Sequence, residues 1–490
     1  MSELTPPRPA AAPLPRRRRL LILGICCMSL LIVSLDNTAL NVALPSLQRD
    51  LGASVSGLQW TIDAYTLVLA SLLMLAGSTA DRIGRRRVFT TGLVIFVLGS
   101  LLCSLAPSLE TLVVFRMVQA VGGSMLNPVA MSIITNTFTD PAERARAIGV
   151  WGGVVGVSMA AGPLVGGLLV ESVGWRAIFW VNLPIGLTAL LLTLRYVPES
   201  RAPRPRRPDP VGQVLVTLLL ASLTYAIIET SPVFAGVAAG ALAGILFYEP
   251  RRHEPLIDLR FFRSAPFSGA TVIAVCAFAA LGGFLFLNTL YLQNVRGLSA
   301  LHAGLYMLPM AAMTFVFAPL SGRLVGSRGP RPSLLVSGTA MAAGALLFAA
   351  FDAERSTPLL FTGYVVFGIG FGMVNAPITD TAVSGMPRAQ AGVAAAVAST
   401  SRQIGQTLGV AVAGAVLSAG LASAAHATSL DGFAAASGPA YWIITGCGLC
   451  VLAAGALTSG AWARGTAERA ARRMAEEDAA RQAPARTPSP

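Results

Sequence analysis

Three ionisable residues stand in stretches where ionisable residues are expensive. Asp36, within LLIVSLDNTALNVALP, is the only charge between Arg19 and Arg49. Asp63 (WTIDAYTLVLA) and Arg116 (VVFRMVQAVGG) interrupt equally apolar runs. On insertion scales a charge at the centre of the hydrocarbon costs about 2.5–3.5 kcal/mol. The chemistry open to such a set is reversible protonation. Desolvation favours a neutral carboxyl group, and a nearby guanidinium favours the carboxylate. A carboxyl group held between these influences takes up or releases a proton when its access to water changes. The plainer alternative is a hydrogen bond between packed helices, which an amide would supply almost as well.

Glu229, Asp380 and Arg402 are further charges near the ends of apolar runs. Interfacial placement or snorkelling explains them as readily as function does, so they are secondary candidates. No metal site is expected: His253, His302 and His426 are scattered without ligand spacing. The six cysteines all lie within apolar stretches, and the CxxC at 447–450 lacks a βαβ context, so neither a disulfide framework nor a redox centre is expected.

The elements that must position these residues follow from composition. The 490-residue chain is 54% hydrophobic and 12% charged, whereas a soluble domain carries about 25% charged residues. A bilayer crossing needs about 20 apolar residues in a helix. Suitable runs lie near 20–42, 58–80, 88–106, 110–135, 146–169, 176–197, 211–230, 233–249, 268–292, 302–324, 333–351, 358–381, 394–419 and 440–462. The expected fold class is an all-α membrane protein of about fourteen transmembrane helices. The first run is too long for a signal peptide and lacks a small-x-small cleavage site.

Every one of the 36 basic residues is Arg, and the net charge is +13. In a soluble chain this would suggest nucleic acid; here it reports topology. Assigned to alternating loops, most Arg residues fall on one side, at Arg16–Arg19, Arg82–Arg87, Arg201–Arg207, Arg251–Arg263 and in the C-terminal tail. The expectation is a multi-pass protein of the cell (plasma) membrane with both termini cytoplasmic.

The chain also repeats itself. LAGSTADRIGRRR (75–87) is echoed by LSGRLVGSRGPRP (320–332), and GGSMLNP (122–128) by GFGMVNAP (370–377). Both copies start from the same side, so two parallel six-helix repeats are expected, with two inserted central helices. The domains read as a disordered basic tail (1–19), an N-terminal bundle (20–197), linkers and inserted helices (198–266), a C-terminal bundle (267–462) and a cytoplasmic tail (463–490).

The turn between the second and third helices, GSTADRIGRRR, combines Gly77, Asp81, Arg82, Gly84, Arg85 and Arg86. A positive loop explains the Arg residues but not the Gly and Asp spacing. With this motif the sequence resembles the major facilitator superfamily. Arg116 and Gln119 in RMVQAVGGSMLNP fit a further family element, although Ala120 stands where Gly is usual. GVSMAAGPLVGGLL resembles the family's antiporter motif through Gly156, Gly162, Pro163, Gly166 and Gly167. GWRAIFWVNLPIG (174–186) and LDNTALNVALP resemble elements of the fourteen-span drug:proton antiporter group, and STSRQIGQTLGVAVAG (399–414) is a weaker match.

The resemblance implies a proton-coupled secondary exporter of small amphipathic drugs, antibiotics or metabolites that works by alternating access. In that reading Asp36, Asp63 and Arg116 couple to protons, and the GSTADRIGRRR residues form a cytoplasmic gate. Candidate cavity residues are Asn37, Asn41, Tyr65, Gln119, Asn127, Phe286, Asn288, Met307, Met310, Met373 and Asn375, since Met and aromatic side chains suit adaptable apolar ligands. The partners implied are a small-molecule substrate, protons and the lipid bilayer, with no nucleic acid. No cofactor is expected beyond the proton gradient, and no G-x-x-x-x-G-K-[ST] motif points to ATP. The alternatives are a specific metabolite transporter of the same fold, including an importer, and a membrane sensor or scaffold without transport.

Overall fold

Backbone N–H and C=O groups find no water in hydrocarbon, so each apolar run has to satisfy them internally, as a helix does. The computed structural model describes residues 15–202, 209–252, 254–349, 356–384, 386, 391–423 and 430–482. Most of the basic N-terminal tail, Arg204, Arg206 and Arg207 of the linker, and the last eight residues lie outside the described residues.

The first six spans are α1 (Arg16–Leu51), α2 (Val55–Ile83), α3 (Arg85–Ser104), α4 (Leu109–Thr137), α5 (Pro141–Ser172) and α6 (Ala177–Tyr196). Two inserted spans follow, α7 (Pro210–Ile228) and α8 (Pro232–Tyr248). The last six are α9 (Ala265–Leu290), α10 (Ala300–Arg328), α11 (Pro330–Ala349), α12 (Thr357–Val383), α13 (Ala391–Ser423) and α14 (Leu430–Thr458). Among the described residues thirteen helices are long and apolar enough to cross a bilayer, and a bent pair within α5 makes a fourteenth. The bend separates Met159 from Ala161, where Pro163 cannot donate to the carbonyl of Met159. A charged helix, α15 (Ala461–Gln482), is the last of the described elements.

Helix ends follow local chemistry. Ser54 caps α2 by accepting from the Gly57 N–H at 3.1 Å, and Ser108 and Thr111 form a reciprocal cap on α4. The echoed motifs end in the same way: Gly84 breaks α2 from α3 at φ 124°, and Gly329 breaks α10 from α11 at φ 79°. A side chain is strained at such angles, so glycine at both breaks gives the internal repeat a backbone basis.

Helices α1–α6 pack as one bundle and α9–α14 as a second. The second is cored by an aromatic cluster in which Phe284 stacks on Phe367 at 4.2 Å and meets Phe348, Tyr364 and Tyr441 edge-on. The α7–α8 hairpin lies over the seam between α2 and α13, where Leu67, Ala70, Val216, Leu220 and Ile245 pack together, and Gln213 donates to the Ser71 carbonyl at 2.6 Å. Leu98, Leu168, Val214, Phe247, Trp442 and Leu457 point outward, an apolar periphery suited to lipid. Helix α15 docks beside the start of α9 through Glu477, which accepts from Arg263 at 2.9 Å and Arg260 at 3.3 Å.

The two bundles touch unevenly. Gln59 of α2 donates to the Val410 and Ala411 carbonyls of α13 at 3.2 and 2.7 Å, and the Thr407 and Thr66 hydroxyls meet at 2.7 Å. Gln293 donates to the Val42 carbonyl at 2.8 Å, and Asn294 to Gln48 at 2.9 Å. Glu171, ending α5, accepts from the Ser299 hydroxyl at 2.8 Å and the Leu301 N–H at 3.3 Å, at the start of α10. All these bonds lie in the half of the molecule remote from the chain termini. In the other half, Gly149, Gly152 and Gly153 of α5 and Gly322 and Gly326 of α10 face open space. The molecule is closed between its bundles on the remote face and open on the terminal face.

Candidate functional site

Asp36 sits midway along α1 and Arg116 in the second turn of α4, and both are completely enclosed. Their side chains form a direct ion pair. The remaining Asp36 oxygen accepts from Gln119 at 2.9 Å and from Asn182 of α6 at 2.8 Å. The Ser100 hydroxyl of α3 ties these two amides together, at 2.7 Å from Gln119 and 3.0 Å from Asn182. Arg116 also donates to Gln119 at 2.7 Å and to the Thr61 carbonyl at 3.3 Å, and its guanidinium lies 4.1 Å from the centre of the Tyr65 ring. Charge, hydrogen bonds and a π face thus surround the pair, as a buried ion pair requires. Five helices supply this network, so it holds the first bundle together while keeping one carboxylate in its interior.

Asp63 is the opposite case. It is fully buried, and neither carboxylate oxygen has a hydrogen-bond partner. On a helix, residues at i, i+4 and i+7 share a face. Gln59, Asp63 and Thr66 are so spaced, and the first and last bond α13 of the other bundle. Asp63 therefore lies on the closed seam between the bundles.

The antiporter-motif residues also lie at contacts with α1 and with the second bundle. Gly162 and Gly166 back onto Thr38 and Ala39 of α1. Gly167 meets α10 so closely that a β-carbon would stand 2.7 Å from the Ala300 oxygen, and Gly304 of α10 abuts the Pro163 carbonyl. Gly156 faces Phe315 where the seam begins to open.

At the terminal face, Asp81 accepts from Arg85 at 2.8 and 3.1 Å. The linker after α6 folds back onto this turn: the Arg85 N–H donates to the Ser200 carbonyl at 2.9 Å and the Ala202 N–H to the Asp81 carbonyl at 3.0 Å. The Glu199 carboxylate accepts from the Arg86 and Arg87 N–H groups at 3.0 and 3.3 Å, capping α3 with negative charge. It also fills the space beside Gly84, where a β-carbon would come within 2.6 Å of it. Gly77 passes Pro128 of α4 at ordinary contact distance, and Arg82 ends α2.

The cavity candidates separate into two groups. Asn41, Met307 and Met310 line a mostly apolar pocket between the bundles, together with Thr38, Met159, Pro163 and Leu285. Asn37 and Asn127 each keep a buried carbonyl oxygen without a partner. Tyr65 and Gln119 turn instead to the Asp36–Arg116 pair. Phe286 is buried in the second bundle, where Asn288 accepts from the Tyr364 hydroxyl at 3.0 Å. Met373 lies at the break in α12, and the Asn375 carbonyl accepts weakly from Arg402. Glu229 takes the Trp60 indole N–H at 2.9 Å, a link between α2 and the inserted hairpin, while Asp380 is exposed.

Sequence reasoning missed Asn182, Ser100, Glu199 and Glu171. Asn182 and Glu199 carried a signal: one is an amide in the quoted WVNLP stretch, the other an acid directly following a predicted helix. Ser100 and Glu171 carried none that distinguishes them from ordinary packing or interfacial residues.

Comparison with known proteins adds an independent line. The family model described as Major Facilitator Superfamily matches residues 26–410. The chain is 38% identical over 416 residues to "Multidrug resistance protein Stp" of Mycobacterium tuberculosis (strain ATCC 25618 / H37Rv), covering 83% of this chain and 77% of that one. It is 37% identical to the "Tetracenomycin C resistance and export protein" of Streptomyces glaucescens, covering 80% and 74%. Among solved structures, a bacterial homologue of the human lysosomal transporter Spinster, in an inward-facing and occupied conformation, superposes with a TM-score of 0.64 at 18% identity, covering 93% of this chain and 98% of that chain.

Proposed function

Because this chain belongs to the Major Facilitator Superfamily, we propose that it is a proton-coupled exporter of small amphipathic drugs, antibiotics or metabolites. It is a multi-pass membrane protein and a transporter rather than an enzyme. Its relatives' names support the substrate class, and Arg-rich segments support a plasma-membrane placement with both termini cytoplasmic. In that orientation the structure is the state closed to the outside and open to the cytoplasm. The family resemblance, the lack of an ATP motif and the buried carboxyl groups all favour the proton gradient over ATP as the drive.

The observation that carries the mechanism is Asp63, a carboxyl group without a partner on the closed outer seam. Charge there would go unsolvated at a cost of several kcal/mol, whereas the charge on Asp36 is met by Arg116 and two amides. Asp63 therefore holds the coupling proton in this state, and Asp36 stays paired. Substrate enters from the terminal face toward the small apolar pocket at Asn41, Met307 and Met310, which has to widen to admit it. Rocking then parts α2 from α13 and α5 from α10, and water reaches the seam. Asp63, having given up its proton to the cytoplasmic side as substrate bound, takes up another from the acidic exterior while substrate leaves, and the seam closes over the protonated group, so each cycle carries a proton inward as substrate moves outward. Each proton taken up outside favours the outer-closed state, so the gradient biases the cycle through differential stabilisation of two conformations. Export of a dye panel from cells, with and without an uncoupler, tests the reading: energy-dependent efflux that Asp63→Asn abolishes supports it, and uncoupler-insensitive efflux contradicts it.

A further inference from the structure

The second bundle contains a cation whose situation contrasts with that of Arg116. Arg402 of α13 reaches across to α12, donating to the Thr379 hydroxyl at 2.6 Å and to the Asn375 carbonyl at 3.5 Å. Its Nε is buried and has no acceptor. Both acceptors are neutral, and no carboxylate of a described residue forms an ion pair with it. A guanidinium in a membrane interior is costly unless an anion meets it. Arg116 has Asp36, but Arg402 has no counterpart among the described residues.

The position is reachable. The second half of α12 (Asn375–Val383) packs against α9, α10, α11 and α13 of its own bundle. The face left over carries Thr379 and Asp380, both exposed, and it lies in the half of the molecule where the bundles stand apart. The guanidinium thus ends at the wall of the space open to the terminal face. Its two acceptors occupy only part of its five-donor fork, and that fork matches the two oxygens of a planar oxyanion.

We propose that Arg402 binds a carboxylate of the transported molecule and so gives the exporter a preference for anionic amphipaths. This rests on the transporter reading above and adds the charge of the substrate to it.

The test compares two xanthene dyes of similar size and opposite charge, fluorescein and pyronin Y, binding to the purified full-length protein in phosphatidylcholine nanodiscs. The wild type should bind the anion more tightly. In Arg402→Gln the ratio of the two affinities should move toward the cation by about tenfold or more, the scale of one lost charge-assisted hydrogen bond. Arg402→Lys, which keeps the charge but loses the fork, should fall between and remains informative if the Gln variant fails to fold. A wild type that prefers pyronin Y, or a ratio that stays within twofold in either variant, overturns the proposal. So does fluorescein binding that vanishes when phosphatidylglycerol is added, because the guanidinium then serves a lipid headgroup. Binding is read without a proton gradient, so anion preference without gradient-driven transport would sink the exporter reading and leave the Arg402 site standing.

Discussion

Asp36→Asn separates the roles of the two buried acids. The wild-type carboxylate accepts from Arg116, Gln119 and Asn182 at once, and none of these is exposed to water. An asparagine amide has a single acceptor oxygen and would turn two donor hydrogens toward neighbours that are themselves donors. Arg116 would keep its charge with only Gln119, the Thr61 carbonyl and the Tyr65 ring around it. Breaking a buried pair from one side costs about 3–5 kcal/mol, a large share of a typical stability of about 5–15 kcal/mol. Asp63→Asn removes no bond, because the carboxyl makes none, and should shift stability by less than about 1 kcal/mol. The assay is thermal unfolding of the detergent-solubilised protein followed by size exclusion. Asp36→Asn should lower the midpoint strongly, and adding Arg116→Gln should recover part of the loss, since neighbours in one network are not additive. Asp63→Asn should unfold near the wild-type temperature yet fail to pump. Equal midpoints for the wild type and Asp36→Asn would refute the reasoning. So would a destabilisation of Asp63→Asn as large as that of Asp36→Asn.

Other outcomes follow from the same contacts. Asp81→Asn loses a half-buried pair worth about 1 kcal/mol, so membrane insertion should stay near normal while efflux slows several-fold in a dye-export assay. Gly304→Leu drives a side chain into the Pro163 carbonyl on the closed seam; it should hold the outer side open, abolish export and raise labelling of a cysteine placed at Asn41 by an impermeant external reagent. Glu171→Gln weakens the link from α5 to Ser299 and Leu301, and should raise the same labelling more modestly without stopping export. A reporter fused after Arg263 should read cytoplasmic and one inserted at Ser231 external; the reverse pattern would overturn the orientation.

The helices were legible because apolar length and Arg distribution are strong one-dimensional signals. The repeat was legible because both copies need glycine at the same helix break, at Gly84 and Gly329. Opposite charges in apolar runs made a meeting of Asp36 and Arg116 foreseeable. Helix rotation was not. A span that is apolar all round does not announce its inward face, so Tyr65 and Gln119 could be assigned to the cavity although they turn to Arg116, and Asn288 although it turns to Tyr364. Ser100 completes the charged network from a helix whose own sequence gives no reason to expect it, and Asn182 showed only as an amide in an apolar stretch, with nothing to say which way it turns. The side on which the bundles close depends on contacts between residues hundreds of positions apart, such as Gln59 with Ala411, and no local pattern encodes it.

Proton coupling is tested most directly in liposomes containing only the purified protein and a pH-sensitive dye, with an imposed pH gradient and the substrate panel added to the alkaline side. Substrate should accumulate in the acidic lumen, protons should leave the lumen only when a transported compound is present, and collapsing the gradient with an ionophore should stop both fluxes. Asp63→Asn should lose the coupled proton flux. Substrate accumulation that continues at the same rate after the gradient is collapsed, or that moves no protons, would contradict proton-driven export.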